Sequence, residues 1–162
     1  RNTPTDLFSV LSQTPAGPLL FPGIKISTIT NTPTSTPSSP GGGFESVTVS
    51  EKKIYWGICS KKPHSVAIAV KVENPDKVEI VYLFFQLESY KKSYDTTDWS
   101  GTVMDKKSNG RYTYLLKANF IPGRKNYSKA WVHYQFVAAD KNDKVIGRTY
   151  IYDRTLTLLP CP

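Results

Sequence analysis

The run of residues from 130 to 140, Ala-Trp-Val-His-Tyr-Gln-Phe-Val-Ala-Ala-Asp, constrains the fold most strongly. Apolar Val132, Tyr134, Phe136 and Ala138 alternate with a second set of side chains, so each set lies on one face of an extended chain. The period of two and the aromatic and β-branched residues predict a strand. Turn-forming residues follow, and then an apolar run from Val145 to Tyr152. The pattern predicts an antiparallel hairpin.

Further strand patterns precede and follow this hairpin. They lie at Glu45–Ser50, Ser65–Glu73, Val78–Leu87 and Arg111–Lys117, with shorter candidates at Thr102–Lys106 and Thr155–Leu159 and a short aromatic strand or bend at Ile54–Gly57. Val78–Leu87 is apolar on both faces, which predicts a central strand whose second face is either covered or a sticky surface. About seven strands joined by turns, with no helix of ordinary length, predict an all-β antiparallel sandwich of the immunoglobulin or fibronectin type III kind.

The first 43 residues have a different composition. Several prolines prevent a long helix, and Thr30–Gly43 is a Pro/Thr/Ser stretch that ends in three glycines. Such a stretch suits an extended spacer and cannot bury a core. We therefore expect an extended, non-globular N-terminal arm and linker over residues 1–43, and a sandwich domain over residues 44–162.

The N-terminal arm nevertheless carries apolar residues, which are candidates for assembly: Leu19, Leu20, Phe21, Ile24, Ile26 and Ile29. An extended segment of this kind can add a strand to an exposed sheet edge. If that edge belongs to the next copy, the contact is head-to-tail and generates a filament. The alternatives are an arm that wraps its own sandwich and an arm that docks on a different protein.

The only two cysteines, Cys59 and Cys161, lie before the first long strand and next to the C-terminus. In a reducing cytosol two such cysteines carry little information, whereas in a secreted β domain this placement indicates a disulfide that ties the last strand to the start of the fold. We expect the disulfide and, with it, an extracellular or cell-surface protein whose signal peptide has been removed.

The chain has a net charge of +8, and of its Lys, Arg, Asp and Glu residues only Arg1, Lys25 and Asp6 precede residue 44. A basic domain can bind an anionic polymer or an acidic cell surface, although a basic balance more often reflects only a solvated surface. The lysines are spread along the sequence over several turns, which argues against nucleic acid as a partner.

The segment from Ser89 to Gly101 is a long polar loop with embedded aromatic residues, and it holds the candidate binding residues Tyr90, Lys91, Lys92, Tyr94 and Trp99. Rings among polar neighbours are suited to binding a sugar or a protein partner. The alternative is that Tyr94 and Trp99 fold back over the sheet. Trp56 and Trp131 are expected in the core.

The sequence offers no recognisable catalytic or cofactor site. Its two histidines, His64 and His133, accompany neither a nucleophile motif nor zinc-ligand spacing, and the glycines at 41–43 are a hinge rather than a phosphate loop. We expect a protein that is not an enzyme, with no cofactor, no metal, no nucleic-acid partner and no membrane span.

Several motifs resemble those of bacterial extracellular Ig-like domains. The opening is carried by Tyr55-Trp56-Gly57 with Cys59 and Pro63, Val66-x-Ile68-x-Val70, and Asn74-Pro75 before Val78. The end is carried by residues 131–140, Ile146-Gly147-Arg148 and Pro160-Cys161-Pro162. The resemblance covers residues 46–162. It implies a C-terminal sandwich domain of a secreted or surface protein behind a Pro/Thr-rich stalk, and it transfers no catalytic residues.

Two functions follow as hypotheses. The first is a non-catalytic extracellular structural or adhesive module with protein partners, and in one version it is a filament subunit assembled through the N-terminal arm. The second is a carbohydrate- or polyanion-binding module of a secreted protein, in which Tyr90, Tyr94, Trp99 and nearby lysines contact a glycan.

Overall fold

A computed structural model describes residues 40–162 as an all-β sandwich of two sheets. The N-terminal arm, including Leu19, Leu20, Phe21, Ile24, Ile26 and Ile29, lies outside the described residues except for Pro40–Gly43. Within residues 40–162 the only helices are two 3-10 turns, Ala118–Phe120 and Arg124–Asn126. Neither has the length or the apolar character needed to cross a membrane.

The described residues form ten strands, more than the seven predicted because several short strands lie at the sheet edges. Their bounds are β1 Phe44–Val49, β2 Lys53–Trp56, β3 Ser65–Val72, β4 Ile80–Ser89, β5 Ser100–Val103, β6 Asp105–Lys106, β7 Arg111–Lys117, β8 Ala130–Ala139, β9 Val145–Arg148 and β10 Tyr152–Pro160. One sheet has the order β1-β3-β7-β6; the other has the order β2-β10-β8-β4-β5, with β9 also paired to β8.

This strand order is that of an immunoglobulin sandwich. In the usual lettering β1-β3-β7-β6 corresponds to A-B-E-D, and β10-β8-β4-β5 corresponds to G-F-C-C′. The short β2 pairs in parallel with β10, while the other strand pairs are antiparallel. The predicted fold class is therefore confirmed.

The core lies between the two sheets and is built by the predicted alternation. Val132, Tyr134, Phe136 and Ala138 of β8 point into it, as do Val81, Leu83, Phe85 and Leu87 of the paired strand β4. On the second face of β4, Tyr82 and Phe84 are also buried, with 2% and 9% exposed. Their burial favours a covered second face over a sticky one.

The predicted hairpin forms between β8 and β9, but the final strand is interrupted at Thr149. The Thr149 hydroxyl accepts a hydrogen bond from the backbone N–H of Phe136 at 3.1 Å, and the Gln135 side chain donates to the Thr149 carbonyl at 2.7 Å. These bonds replace the regular ladder, and the chain bends before pairing with β8 again at Tyr152. The bend depends on hydrogen bonds to residues of β8, so the sequence pattern of the last strand alone does not predict it.

The glycines preceding β1 belong to the sandwich and are not a free hinge as predicted. Gly41 pairs with Phe44 in an isolated β-bridge. Gly42 has a φ of +59°, and a Cβ there would collide with the backbone of Arg148. A side chain at Gly42 would therefore separate the start of β1 from β9.

The predicted disulfide between Cys59 and Cys161 is present, with a Cα–Cα distance of 5.6 Å. It joins residues 102 positions apart, so it restrains most of the unfolded domain. The backbone N–H of Cys161 also donates to the Trp56 carbonyl at 2.8 Å, which extends the parallel pairing of β2 and β10.

Removing the disulfide is expected to destabilise the domain. In the double variant Cys59→Ser, Cys161→Ser the free energy of unfolding should fall by up to about 4–5 kcal/mol, because the unfolded chain regains the entropy of the open loop. Urea unfolding measures this, and chemical reduction of the wild type is the matched control. An unchanged free energy of unfolding in both would contradict the role of the bond.

A cluster of tyrosines predicts sensitivity to alkali. Tyr134 and Tyr152 stack with their centroids 4.9 Å apart, and burial raises the pKa of both phenols, that of Tyr152 also through a hydrogen bond with Tyr150. In the unfolded chain phenols ionise near about pH 10. The unfolded state then loses protons first, so the free energy of unfolding should fall as the pH rises above that value.

Tyr152→Phe should reduce this slope, since one group that ionises only in the unfolded chain is gone. The measurement is urea unfolding between mildly and strongly alkaline pH. Tyr94→Phe, at a side chain that is 94% exposed, controls for the number of tyrosines. Equal slopes for Tyr152→Phe and the wild type would show that the cluster does not set the alkaline limit.

Candidate binding surface at the basic end

The strand pairing brings three connections to one end of the sandwich. Ser65 pairs with Lys117, Ser89 pairs with Ala130, and Trp56 pairs with Pro160. The connections β2–β3 (57–64), β4–β5 (90–99) and β7–β8 (118–129) therefore meet there, together with Lys117. We call this surface the basic end.

The basic end holds much of the excess charge of the domain. It carries eight basic residues, Lys61, Lys62, Lys91, Lys92, Lys117, Arg124, Lys125 and Lys129, against the two acidic residues Asp95 and Asp98. The connections at the opposite end (73–79, 107–110 and 140–144) carry four lysines and five acidic residues. Lysines that are spread along the sequence are thus concentrated in space, which the sequence order conceals.

Hydrogen bonds join the three connections into one surface. The backbone N–H of Gly57 donates to Oδ1 of Asn119 at 2.7 Å, which ties the first connection to the third. The backbone N–H of Tyr90 donates to the Lys129 carbonyl at 3.1 Å, which ties the second to the third.

A side-chain bond adds to these links. The Tyr127 hydroxyl donates to Asp95 at 3.4 Å, and its pKa is raised by burial and then by that carboxylate. The neutral, donating form of Tyr127 is therefore the one present at physiological pH.

The disulfide fixes the β2–β3 connection within this surface. Gly57 has a φ of +102°, in the region that favours glycine, and Cys59 follows two residues later. The imidazole of His64 fills the turn, with Nδ1 2.8 Å from the Tyr55 carbonyl and Nε2 2.7 Å from the Cys59 carbonyl. Because both carbonyls only accept, a doubly protonated ring donates to both and a neutral ring to one.

His64 and the two cysteine sulfurs are also the potential metal ligands of the described residues, within 4.8 Å of one another. In the oxidised protein both sulfurs are bound to each other, so neither is a thiolate ligand. The oxidised arrangement is structural.

Tyr90 is the one predicted binding aromatic that joins an aromatic cluster. Its ring lies 5.0 Å from that of Trp131, and Nζ of Lys129 lies 3.3 Å from the Tyr90 centroid. One face of Tyr90 is therefore occupied by a cation from the same chain.

The other predicted binding residues do not complete a sugar-stacking platform. Lys91 and Lys92 are exposed, Trp99 is half-buried before β5, and Tyr94 is 94% exposed. Among the ring pairs within residues 40–162, none links Tyr94 or Trp99 to Tyr90. The idea that Tyr94 folds back over the sheet is wrong, since its side chain is exposed to solvent.

Trp131 does not lie in the core as expected. It alternates with the core-facing residues of β8 and stands on the outer face of the sheet, where it packs against Tyr90. Trp56 packs against the core from a partly buried position, closer to the prediction.

Two largely buried polar residues, His133 and Glu88, lie next to the β4–β5 connection. Nε2 of His133 lies 3.0 Å from Oε2 of Glu88, and their side chains are only 12% and 11% exposed. The two atoms are close but do not have hydrogen-bond geometry. Oε1 of Glu88 accepts a hydrogen bond from the backbone N–H of Tyr94 at 2.9 Å. One carboxylate thereby positions the outward-turned Tyr94.

Sequence reasoning missed the exposed apolar residues Ile58 and Phe120 and six of the eight basic residues of this surface, which are Lys61, Lys62, Lys117, Arg124, Lys125 and Lys129. Ile58 is 101% exposed and Phe120 is 76% exposed. For the two apolar residues, the available signal was a bulky apolar residue close to lysines in a connection: Ile58 before Lys61 and Lys62, and Phe120 after Lys117.

Comparisons with protein-family models, with curated proteins and with solved structures found no match.

Removing the Glu88 carboxylate should loosen the β4–β5 connection. In Glu88→Ala the Tyr94 N–H loses its acceptor and the close contact with His133 is removed, so the free energy of unfolding should fall by about 1–3 kcal/mol. Hydrogen exchange at Tyr94 should accelerate. The control is Glu79→Ala, which breaks an exposed pair with Lys106 and should change stability by about 0.5 kcal/mol or less. Unchanged exchange at Tyr94 would contradict the positioning role.

Proposed function

We propose that this protein is a non-catalytic extracellular adhesive module whose basic end attaches to a polyanionic surface. The observation that carries the proposal is the excess of eight basic over two acidic residues at one end of the sandwich. The disulfide supports an extracellular setting, since such bonds persist in oxidising compartments.

The charge distribution suits attachment by one end. At physiological ionic strength the positive charges of the basic end attract an anionic surface over roughly 8 Å. Lysine side chains on the connections can approach a surface to within that distance. The opposite end has balanced charge, so the field of the domain orients the basic end toward the partner. The exposed side chains of Lys61, Lys91, Lys92 and Lys125 leave their ammonium groups accessible to a partner.

The geometry favours polyanion binding over neutral-sugar binding. A sugar platform needs an open aromatic face, whereas Lys129 occupies one face of Tyr90 and the remaining predicted rings stand apart. The filament hypothesis depends on the N-terminal arm and stays a prediction.

Charge reversal at the two ends tests the proposal. Lys91→Glu with Lys92→Glu should weaken binding to polyphosphate and to heparin by at least about tenfold at low salt, because four units of charge change at the contact. The matched control, Lys141→Glu with Lys144→Glu, makes the same change of net charge at the opposite end and should weaken binding by less than about threefold. Surface plasmon resonance at two salt concentrations measures both. Equal losses in the two variants would show that net charge alone, and not the basic end, drives binding.

A further inference from the structure

The basic end combines its charge with exposed apolar side chains in a regular way. The three most exposed large hydrophobic residues of the described chain are Ile58, Tyr94 and Phe120, at 101%, 94% and 76%. The next, Tyr150, is 52% exposed and lies elsewhere. Each connection of the basic end carries one of the three, and we call them the apolar tips.

Each apolar tip has basic neighbours in its own connection. Lys61 and Lys62 follow Ile58, Lys91 and Lys92 precede Tyr94, and Lys117 and Arg124 flank Phe120. Nζ of Lys117 lies 5.9 Å from the centroid of the Phe120 ring. Basic side chains therefore surround each apolar tip on this surface.

The apolar tips are held outward by the fold. Ile58 stands between Gly57, bonded to Asn119, and the disulfide-linked Cys59. Phe120 ends a 3-10 turn whose neighbours Ala118 and Ile121 are buried. The Tyr94 backbone is bonded to Glu88. Because their backbones are already ordered, little conformational entropy is lost when these side chains enter a partner.

From this arrangement we propose that the basic end binds the surface of an anionic phospholipid bilayer, with the apolar tips entering the boundary between headgroups and acyl chains. The inference rests on the proposed function and names its partner. Basic side chains near a bilayer are attracted to anionic headgroups, and apolar side chains gain by leaving water at the interface. A soluble acidic polymer would pair with the lysines but leave the apolar tips in water.

Two positions of the surface fit the layered chemistry of a bilayer. Lys117 beside Phe120 places its ammonium at the headgroups while its stem and the ring lie deeper. The hydroxyl of Tyr94 lets this ring stay at the polar boundary, where tyrosine is commonly found in membrane proteins. The domain lies on the membrane by its end and does not span it.

Vesicle binding by the full chain tests the inference. The wild type should cosediment with vesicles containing phosphatidylglycerol and not with pure phosphatidylcholine. In Ile58→Asn with Phe120→Asn the partition coefficient should fall by at least about tenfold, the effect of withdrawing two apolar side chains from the interface. Polyphosphate affinity should be unchanged, and an unchanged far-ultraviolet circular dichroism spectrum shows that the variant is folded. The matched control, Val103→Asn with Leu115→Asn, alters two half-exposed strand residues and should change partitioning by less than about twofold.

A tryptophan at Phe120 reports insertion directly. The emission of Phe120→Trp should shift to shorter wavelength on phosphatidylglycerol vesicles and be quenched by lipids brominated near the headgroup. The bilayer inference would be overturned if the wild type bound polyphosphate but not vesicles. It would also be overturned if the variant Ile58→Asn with Phe120→Asn bound vesicles as well as the wild type does. Neither result would contradict polyanion binding. If the wild type bound neither vesicles nor polyphosphate, the proposed function would be overturned as well.

Discussion

The ten-residue antiparallel pairing of β4 with β8 is the contact on which the rest of the structure depends. It runs from Ile80 opposite Ala139 to Ser89 opposite Ala130 without a break in register. Alternate residues of both strands form the centre of the core. Because this register fixes where both strands end, it also decides which connections meet at each end. The basic end is a consequence of that register as much as of its own residues.

Gathering eight basic residues at one end carries an electrostatic penalty that the local structure reduces. Three of the lysines at this end lie over aromatic rings, Lys62 over Tyr55, Lys117 over Phe120 and Lys129 over Tyr90. Each ring face offers a cation partial compensation. The disulfide and the hydrogen bonds among the connections then hold the loops against the residual repulsion. Such an arrangement is costly unless a negative partner uses it.

The parts of the fold that the sequence predicts are those set by local pattern. The alternation of residues 130–139 and 65–72, and the two-sided apolar run that becomes β4, gave strands within about two residues of the observed bounds. The position of Cys161 after the last strand indicated its bond to Cys59 correctly. The short aromatic run Ile54–Gly57 indicated a strand or bend, and it lies in β2, but its parallel pairing with β10 about 100 residues later has no local signal, and neither has the bend at Thr149.

The candidate site was predictable only in part, for the same reason. Tyr90, Lys91, Lys92 and Tyr94 were recognised because they share one loop, whereas their neighbours come from other loops. Lys129 reaches Tyr90 across the sheet end, and Asn119 reaches Gly57, through contacts that the strand register creates. Trp131 is expected in the core, but the period of two in β8 places it on the outer face. Here the alternation was the better guide than the residue type.

The exposure of Ile58 is the feature that a purely soluble role explains least well. An isoleucine in a flexible loop turns toward the nearest apolar surface, since burying such a side chain stabilises a protein by about 1.5–3 kcal/mol. Ile58 is prevented from doing so by the turn at Gly57 on one side and the disulfide at Cys59 on the other. The bond that stabilises the sandwich therefore also keeps an apolar side chain in water, and Asn119 fixes the turn beside Phe120 in the same way. A clasp that only closed the fold would work equally well around a polar residue. An isoleucine at this position fits the proposed insertion into the apolar part of a bilayer. The surrounding lysines favour a bilayer whose surface is negatively charged.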